Sequence, residues 1–548
     1  MNNLSPLYNY DGQAFTESYL KKGGKCFADR YAEVVRTFSD EKFLKIYCSD
    51  GQVIEKTFLD FAKDVDLVVQ KIKIEKNDFE VLVTIDGNTY FNCLYIVAGI
   101  LCDLIICPIS PHESFARVTE KLSQIQKKSI VYAGDFWSQS NKDHGYGSMI
   151  IPINQEVTFN HLEKSFTISF ERPLIYIFTS GSTGYSKIVQ QPERAILSNV
   201  DALIKLFSFS ERRYVIATAM PIYHVNTLEF SFFCSLLSGQ HLILYEKFNI
   251  LEIIESFKSD KVQIFSANPP ILQSLSEMHL KINQLPIALE YCLTAASSLS
   301  PHLAEQMVNK FKFKIIQGYG LSEAANFSLM IPPILSKEKV DYWLTNFERP
   351  SVGTAVPGNI VKILNPDLSE VNEGETGDIC IRGHNVMIGY KNAQNADVFK
   401  DDYLHTADRG FFRHCFETNQ KFFFITGRTK DVIKRFGHTI SLVEIDDYLT
   451  GWKPLGLQAI AVPFENKNSG EEIGVVVSGD VTDEQMLDLK YYLVAQLPSW
   501  TRPRILIATS QLLRTESGKP KRWTLSHLFD KYAKDSFPDE PIIDKIID

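Results

Sequence analysis

Short apolar runs rich in β-branched residues alternate with helical periodicity through most of this chain. Six of the runs predict buried strands: Glu80–Ile85, Leu104–Pro108, Ser129–Tyr132, Tyr214–Thr218, His241–Tyr245 and Val262–Ser266. Between them the helical pattern is clearest at Glu193–Phe207 and Pro301–Phe311. Strands that alternate with helices favour parallel sheets covered by helices, and this constraint places the chain in the α/β class.

A different texture begins near Val352. Short strand-like segments separated by Gly, Asn and Asp turns (GNIVKIL, ETGDICIRG and KFFFITGR) predict an antiparallel or barrel-like subdomain. From about Lys430 the pattern predicts a small α+β unit, with paired strands AIAVPF and IGVVVSG, a helix at Asp483–Leu497 and a further strand ILIAT. Because 548 residues are too many for one ordinary core, two or more domains are expected.

Composition narrows the classes of function. The net charge of −9 and the pI near 5.8 argue against nucleic acid as a main partner. The nine cysteines include no CxxC pair and are odd in number, which favours reduced thiols and a cytoplasmic location. The N-terminus lacks the basic start and apolar core of a signal peptide. The apolar run Cys93–Ile109 is broken by Asp103 and Pro108, so it predicts a buried helix and strand with no membrane span.

One segment carries anion-binding chemistry. After the apolar run Ile175–Phe178 come six small or hydroxylated residues: Thr179, Ser180, Gly181, Ser182, Thr183 and Gly184. A cation, Lys187, follows. Small residues allow successive backbone N–H groups to converge on an anion, and the hydroxyls and the lysine add donors. The spacing is not that of a Walker loop, and a flexible surface loop is the alternative.

Four further motifs follow in order: QGYGLSEA from Gln317, HTADRGFF from His405, TGRTKDVIKRFGHTISLVEID from Thr426 and ESGKPKR from Glu516. With the loop, they resemble in order and spacing the core motifs of the adenylate-forming superfamily. That superfamily holds acyl- and aryl-CoA synthetases, adenylation domains of nonribosomal peptide synthetases and firefly-type luciferases. The resemblance covers nearly the whole chain and is closest to the AMP-dependent ligases that act on coenzyme A or an acyl carrier protein.

The resemblance also implies an architecture. The family has a large N-terminal domain of layered α/β subdomains with a small β-barrel-like subdomain, followed by a small mobile α+β C-terminal lid. Transferred to this chain, the adenylation domain would span residues 1–429 and the lid residues 430–548, with a hinge at Lys430.

The resemblance implies that the motifs bind ATP and Mg²⁺. The loop from Thr179 to Lys187, with Thr183 among the catalytic residues, would close over the β- and γ-phosphates. Tyr319 would lie against the adenine, and Ser322 would meet a phosphate. Glu323 would hold Mg²⁺, a hard cation that prefers carboxylate oxygen.

Further roles follow from the same resemblance. Asp408 would bind the ribose hydroxyls, Arg428 would reach the ribose or a phosphate, and Gly320 would allow close approach of the backbone. Lys519 would bridge the substrate carboxylate and the α-phosphate. Gly437 would line the thiol tunnel once the lid has rotated. Ordinary exposed lysines are the alternative for Lys519 and for the hinge residue.

Two positions depart from the family pattern. Ser186 stands where a proline usually precedes the loop lysine, which changes stiffness more than chemistry. Ala407 stands where glycine is usual, and its methyl group is tolerable unless φ must be positive.

The implied reaction is a two-step ligation. A carboxylate is already a nucleophile, so the barrier is its repulsion from the triphosphate. Negative charge develops at the α-phosphorus and on the leaving pyrophosphate. The groups that would stabilise it are Lys187, Lys519, Mg²⁺ on Glu323 and the loop amides. A thiol then attacks the acyl-AMP in the same site, after the lid has turned on its hinge.

The acid pocket is implied by two segments, Ala219–Gly239 and Thr294–Leu299. His224 stands where CoA synthetases carry a histidine or aromatic gate, and a structural histidine is the alternative. Asn226 aligns with an aspartate that pairs with the ammonium of amino-acid substrates. An unpaired ammonium is costly to bury, so a free α-amino acid is disfavoured, although Glu229 lies one turn on.

The size of the pocket is implied by small residues. Ala295 and Ala296, near Gly318, stand in the family's glycine-rich pocket strand and would narrow it. Phe230, Phe232 and Phe233 favour an apolar tail or ring, although they also fit an ordinary core. An aromatic or medium-length acid is therefore favoured over a long fatty chain.

The acceptor and three rival functions stay open. No carrier domain is recognisable after Arg522, so the thiol would belong to coenzyme A or to the phosphopantetheine of a separate carrier protein. The main alternative is a stand-alone amino-acid adenylation enzyme that loads a carrier protein. A non-catalytic nucleotide-binding scaffold and a luciferase-like oxygenase are the others.

Overall fold

The structure is a computed structural model that describes residues 25–75, 79–134, 171–179, 187–297, 299–391, 398–428, 431–436, 438–452, 457–510 and 522–545. Within these residues the strands form four sheets.

The elements are given in chain order. Up to residue 133 they are α1 (Phe27–Thr37), β1 (Lys42–Tyr47), β2 (Val53–Thr57), α2 (Phe58–Glu75), β3 (Val81–Ile85), α3 (Tyr90–Leu101), β4 (Ile105–Ile109), α4 (Phe115–Ile125) and β5 (Ser129–Ala133). From residue 173 they are β6 (Pro173–Thr179), β7 (Lys187–Pro192), α5 (Glu193–Phe207), β8 (Val215–Thr218), a π-helix (Asn226–Phe233), α6 (Cys234–Ser238), β9 (His241–Tyr245), α7 (Ile250–Ser259), β10 (Ile264–Ala267), α8 (Pro269–Glu277), α9 (His279–Asn283), β11 (Tyr291–Thr294) and α10 (Pro301–Lys310).

The rest of the chain is richer in strands. From residue 314 come β12 (Lys314–Leu321), a 3₁₀ turn (Ser322–Ala324), β13 (Asn326–Met330), α11 (Lys337–Thr345), β14 (Thr354–Ala355), β15 (Asn359–Leu364), β16 (Gly377–Gly383), β17 (Gly389–Tyr390), β18 (Phe399–Lys400), β19 (Tyr403–His414) and β20 (Lys421–Arg428). Beyond them lie β21 (Val432–Arg435), β22 (His438–Ser441), α12 (Leu442–Gly451), β23 (Gln458–Asn466), β24 (Gly470–Ser478), α13 (Asp483–Gln496), β25 (Ile505–Thr509), a 3₁₀ helix (Arg522–Tyr532) and β26 (Ile542–Lys545).

Two large sheets confirm the α/β prediction. One has the order β14-β13-β12-β11-β10-β8-β9-β1-β2 and is parallel from β12 to β1. The other has the order β17-β7-β6-β4-β3-β5 and is parallel from β6 to β5. Strand β1 pairs with β9 although about 200 residues separate them. All six predicted strands lie in these sheets, with ends that differ from the prediction by at most two residues.

A buried helix and an asparagine join the two sheets. Thr89 caps α3 by accepting a hydrogen bond from the N–H of Asn92, and the next strand, β4, is fully buried, as the apolar run predicted. Beside the cap, Asn88 donates to the carbonyls of Met220 and Tyr245 at 3.1 and 2.9 Å. Its Oδ1 also accepts from the N–H of Ile222 at 2.8 Å. One buried side chain therefore satisfies three backbone groups of the neighbouring sheet.

The remaining sheets match the change of texture after Val352. Strands β15, β16, β19, β18 and β20 form an antiparallel sheet. In the C-terminal unit, β23 and β24 pair antiparallel, as predicted, and β24 pairs in parallel with β25. Helix α13 begins at a capping box in which Thr482 and Gln485 bond each other's backbone N–H groups.

Two side-chain contacts tie the C-terminal unit to the preceding part. Ser441 Oγ donates to the Thr426 carbonyl at 3.1 Å. Arg349 Nη1 and Asp447 Oδ2 form a largely buried ion pair at 2.8 Å. In the described part of the chain, no helix has both the length and the apolar character required to cross a bilayer.

Candidate functional site

The motifs converge at the turn that follows β12. Glu323 lies in this turn, and its Oε1 accepts a hydrogen bond from Tyr390 Oη at 2.7 Å. The N–H of Met387 donates to the Glu323 carbonyl at 2.8 Å. Lys187 Nζ lies 4.5 Å from the centre of the Tyr390 ring, within cation–π range. Tyr390 therefore joins the proposed metal ligand to the lysine of the phosphate loop.

Sequence reasoning missed Tyr390. It lies 67 residues from Glu323 in the chain, so no local spacing connects the two. Strand β17 places it, because β17 pairs with β7 and sets Tyr390 opposite Val189. Burial and the neighbouring Glu323 carboxylate raise the pKa of Tyr390 well above its ordinary value, so the phenol keeps the proton that it donates.

A second cluster surrounds Asp408. Its Oδ2 accepts from Tyr319 Oη at 2.7 Å, and its Oδ1 accepts from Arg428 Nε at 2.8 Å. Asp408 is 4% exposed and lies opposite Arg428 in the β19–β20 ladder. Three residues from three predicted motifs thus meet, and the aspartate is held rigidly by one neutral and one charged donor.

The predicted phosphate loop lies between two strands that pair with each other. Strands β6 and β7 pair antiparallel, and the last pair joins Thr179 to Lys187. The predicted loop residues Ser180, Gly181, Ser182, Thr183 and Gly184 lie outside the described residues. The structure places the two ends of the loop side by side, next to Tyr390. The predicted Lys430, Gly437 and Lys519 also fall outside the described residues.

Backbone geometry explains a glycine and marks a strained alanine. A Cβ on Gly320 would lie 1.4 Å from the carbonyl oxygen of Asn326 in β13, where the ladder register shifts. Close approach of the neighbouring strand therefore already requires this glycine. Ala407 has a positive φ of 60°. Its methyl group is therefore unfavourable in this backbone conformation, at a cost of roughly 1 kcal/mol relative to a right-handed conformation.

The wall of the predicted acid pocket contains a π-helix. The segment predicted as one helix forms a π-helix over Asn226–Phe233, continues as α6, and ends at Gly239. His224 lies in the turn before this helix. Its backbone N–H donates a hydrogen bond to the Pro221 carbonyl, and its carbonyl accepts one from the Leu228 N–H. The sequence did not predict the π-helix. Such helices are rare and often occur at functional sites.

Polar and apolar side chains of this helix have different environments. Asn226 Oδ1 accepts from Ser266 Oγ at 3.2 Å, whereas its buried Nδ2 has no hydrogen-bond partner within the described residues. Phe230, Phe232 and Phe233 are fully buried and pack on other aromatic rings. The three phenylalanines thus fit the core alternative, and Asn226 is one of the polar residues of this helix that keep an atom unsatisfied by the described part of the chain.

The pocket residues meet at one edge of the large sheet. Strands β10, β11 and β12 are parallel neighbours, with Thr294 opposite Gln317. Ala295 and Ala296 follow β11 directly, next to Gly318 on β12. Ser266, which bonds Asn226, lies near the end of β10. Carboxyl ends of parallel strands are where open α/β sheets bind ligands.

The metal prediction rests on one carboxylate. No group of three His, Cys, Asp or Glu side chains capable of holding a metal occurs in the described ranges. Magnesium is usually bound by one or two carboxylates together with substrate phosphates and water. The donor set at Glu323 fits that pattern.

Comparison with known proteins identifies the family. The family model described as AMP-binding enzyme matches residues 91–391, more than half of the chain. The chain belongs to this family. The matched span includes the phosphate loop, the pocket helix and the Glu323 turn.

Individual AMP-binding proteins resemble the chain more distantly. A 4-coumarate:CoA ligase from Petunia hybrida is 26% identical over 353 residues, which are 62% of this chain and 62% of that ligase. The chain is thus matched over less than two thirds of this relative's length. Two solved structures show the same fold. One is o-succinylbenzoate CoA synthetase from Bacillus subtilis with its acyl-adenylate, which has a TM-score of 0.76 and 20% identity over 90% of this chain and 96% of that chain. The other is McyG A-PCP with phenylalanyl-adenylate, which has a TM-score of 0.79 and 16% identity over 93% of this chain and 84% of that chain.

Proposed function

We propose that the protein is an AMP-forming acid–thiol ligase. The observation that carries the proposal is the arrangement at the end of β12, where Glu323, Tyr390 and Lys187 meet. The Asp408 cluster forms through Tyr319 on the same strand. A metal-binding carboxylate, a phosphate-binding cation and a ribose-binding aspartate are the groups that adenylate formation requires. The relatives named as CoA ligases support the assignment.

In the first step, an oxygen of the acid bonds to the α-phosphorus of ATP. The bond from that phosphorus to the bridging oxygen of the β-phosphate breaks, and pyrophosphate leaves with the electron pair. Lys187 and Lys519 stabilise the charge on the phosphates, and Asp408 orients the ribose. Mg²⁺, held by Glu323, would supply further positive charge at the phosphates.

In the second step, the sulfur of a thiol bonds to the acyl carbon, and the bond to AMP breaks. The thiol proton is lost to solvent, and AMP leaves as the phosphate anion. Coenzyme A is the favoured acceptor because two of the three proteins named above are a CoA ligase and a CoA synthetase, and a carrier-protein phosphopantetheine is the other candidate. Residues 430–548 would act as a lid that turns at Lys430 and brings Gly437 to the thiol.

The acid is proposed to be aryl or of medium length. Ala295 and Ala296 at the end of β11 support a short pocket, and Asn226 supplies no charge to pair with an ammonium. Glu229, buried on the same helix, is the observation that keeps a stand-alone amino-acid adenylation enzyme as the second candidate. A cytoplasmic location remains a prediction.

The test is acid-dependent exchange of pyrophosphate into ATP, over aryl acids, saturated acids and amino acids, with Mg²⁺. Thioester formation is then measured for each active acid with coenzyme A and with a phosphopantetheinylated carrier. We expect exchange with an aryl or medium-length acid and thioester with coenzyme A. Exchange with amino acids alone would favour the second candidate, and no exchange with any acid would contradict the proposal.

A further inference from the structure

Three buried oxygen atoms beside the pocket helix have no hydrogen-bond partner within the described residues. Two belong to the carboxyl of Glu229 and the third is Oε1 of Gln191. Both residues are fully buried, and the Gln191 side chain lowers the pKa of the Glu229 carboxyl, an effect that requires the two side chains to lie close together. Leaving such groups unsatisfied is costly, so the arrangement requires a missing donor.

Counting protons identifies that donor. The amide of Gln191 has two N–H protons, and one is already donated to the Ser322 carbonyl at 2.8 Å. A single N–H therefore remains for three oxygens. An ionised carboxylate can only accept, whereas a protonated one supplies an O–H.

We propose that Glu229 is a protonated positioning residue that forms a cyclic acid–amide pair with Gln191 and thereby holds the Ser322–Glu323 turn. The carboxyl O–H donates to Gln191 Oε1, and the free N–H of Gln191 donates to the carboxyl C=O oxygen. This pair satisfies all three oxygens at once. The positioning role rests on the proposed function, since the turn carries the proposed metal ligand.

The surroundings of Glu229 agree with a neutral acid. Burial raises the pKa of Glu229 to about 8, and the Gln191 side chain opposes the rise. The charged side chains on β7 and on the elements packed against the π-helix (α5, α6, β8 and β13) do not contribute to this shift. They are Lys187, Glu193, Arg194, Asp201 and Lys205. Four of them have other partners. Lys187 lies over the ring of Tyr390, and Glu193 accepts a hydrogen bond from the Phe27 N–H. Arg194 forms an ion pair with Glu171, and Asp201 forms one with Arg30.

The consequence is a link between the two halves of the site. Glu229 belongs to the wall of the proposed acid pocket, and Ser322 belongs to the turn of the proposed metal site. As the pH rises through the pKa of Glu229, the pair loses its O–H and the turn loses its support. Affinity for MgATP should then fall.

The first experiment needs no substrate. Infrared difference spectra between wild type and Glu229→Gln, on protein with isotope-labelled glutamate, report the C=O band of a protonated carboxyl. We expect this band in the wild type at neutral pH, with loss centred at about pH 8. If Glu229→Gln does not fold, Glu229→Met gives the same difference. Absence of the band in the wild type would overturn the proposal whatever the enzyme does.

The second experiment tests the positioning role through MgATP binding, measured by calorimetry so that the acid need not be known. Above about pH 8 the wild-type dissociation constant should rise about tenfold, the size of one lost hydrogen bond. Glu229→Gln can still pair with Gln191 and does not titrate, so its affinity should stay constant over this range. Ser231→Ala on the same helix is the control and should behave like the wild type.

The outcomes separate the two proposals. A band together with parallel pH profiles for wild type and Glu229→Gln would overturn the positioning role. A band and divergent profiles, with no exchange for any acid, would support the Glu229 pair and contradict the ligase assignment instead.

Discussion

The proposed nucleotide half and the proposed acid half of the candidate site satisfy their polar groups in different ways. In the nucleotide half, Asp408 is bonded through both oxygens, and Glu323 is bonded to Tyr390. In the acid half, Asn226 Nδ2 and both Glu229 oxygens have no partner among the described residues. The side chains of the first half are fixed before substrate arrives, which suits the binding of ATP, the substrate that every acid shares. With the Glu229 oxygens paired to Gln191 as proposed, the second half still has an N–H group of Asn226 without a partner in the described ranges.

This contrast separates rate from selectivity. Changes in the nucleotide half should slow adenylation of all acids by similar factors, since each acid meets the same ATP. Changes in the acid half, apart from Glu229 with its proposed link to the Ser322–Glu323 turn, should alter the order of acids with little effect on the best rate that the protein reaches. The predictions run from the largest expected effect to the smallest.

Lys519→Ala should have the largest effect. Loss of a cation at the developing charge should reduce acyl-AMP formation by about 10²–10³-fold or more, for all acids. Conversion of synthetic acyl-AMP and thiol to thioester should stay near the wild-type rate, because the proposed lid would turn this lysine away. Lys521→Ala, in the same basic run, is the control for a general loss of charge. Equal loss in both half-reactions would contradict the assignment of Lys519 to adenylation. Lys430→Pro should have the opposite effect: thioester formation falls while adenylation persists, because proline stiffens the proposed hinge.

Glu323→Gln should reduce exchange by about 10²-fold for every acid, because the neutral amide is a poor ligand for Mg²⁺. Raising Mg²⁺ should restore part of the rate. Exposed Glu338→Gln is the matched control. A variant that keeps wild-type exchange at moderate Mg²⁺ would exclude Glu323 as the metal ligand.

Tyr390→Phe should act on the same half more weakly. It removes the hydrogen bond to Glu323 and keeps the ring beneath Lys187, so a loss of about tenfold in kcat/KM for MgATP is expected. Tyr342→Phe, on an exposed face of α11, should be neutral. If Tyr390→Phe instead changed the order of acids, the division between the halves would be wrong.

Asn226→Asp should have the smallest effect on the best rate and the clearest effect on selectivity. A new carboxylate repels an anionic acid and suits an ammonium. We expect a several-fold loss for non-amino acids and a gain for amino acids, measured as ratios of exchange rates. Surface Asn346→Asp controls for added charge. Unchanged ratios would show that Asn226 does not face the acid.

Local pattern and long-range contact explain what the sequence could predict. Helix Glu193–Phe207 and strand His241–Tyr245 match their predicted bounds, because periodicity and β-branched composition act locally. The π-helix was not predictable, since its apolar residues fit an α-helix equally well. The motifs identified Glu323, Asp408 and Tyr319. Tyr390, which bonds Glu323, and Gln191, which bonds the Ser322 carbonyl, lie on strands that are far from this turn in sequence.

The pairing of β1 with β9 has a consequence for synthesis on the ribosome. Strand β1 emerges first, and its parallel partner follows about 200 residues later. At 5–20 residues per second the interval is about 10–40 s. During this time the apolar residues of the β1–β2 hairpin, among them Phe43, Leu44 and Ile46, lack the strand that later covers them. Chaperone binding to the nascent chain should therefore be highest before residue 245 leaves the exit tunnel. Circular permutation that moves β1 to the C-terminus should remove this early maximum, because β9 would then be made before β1.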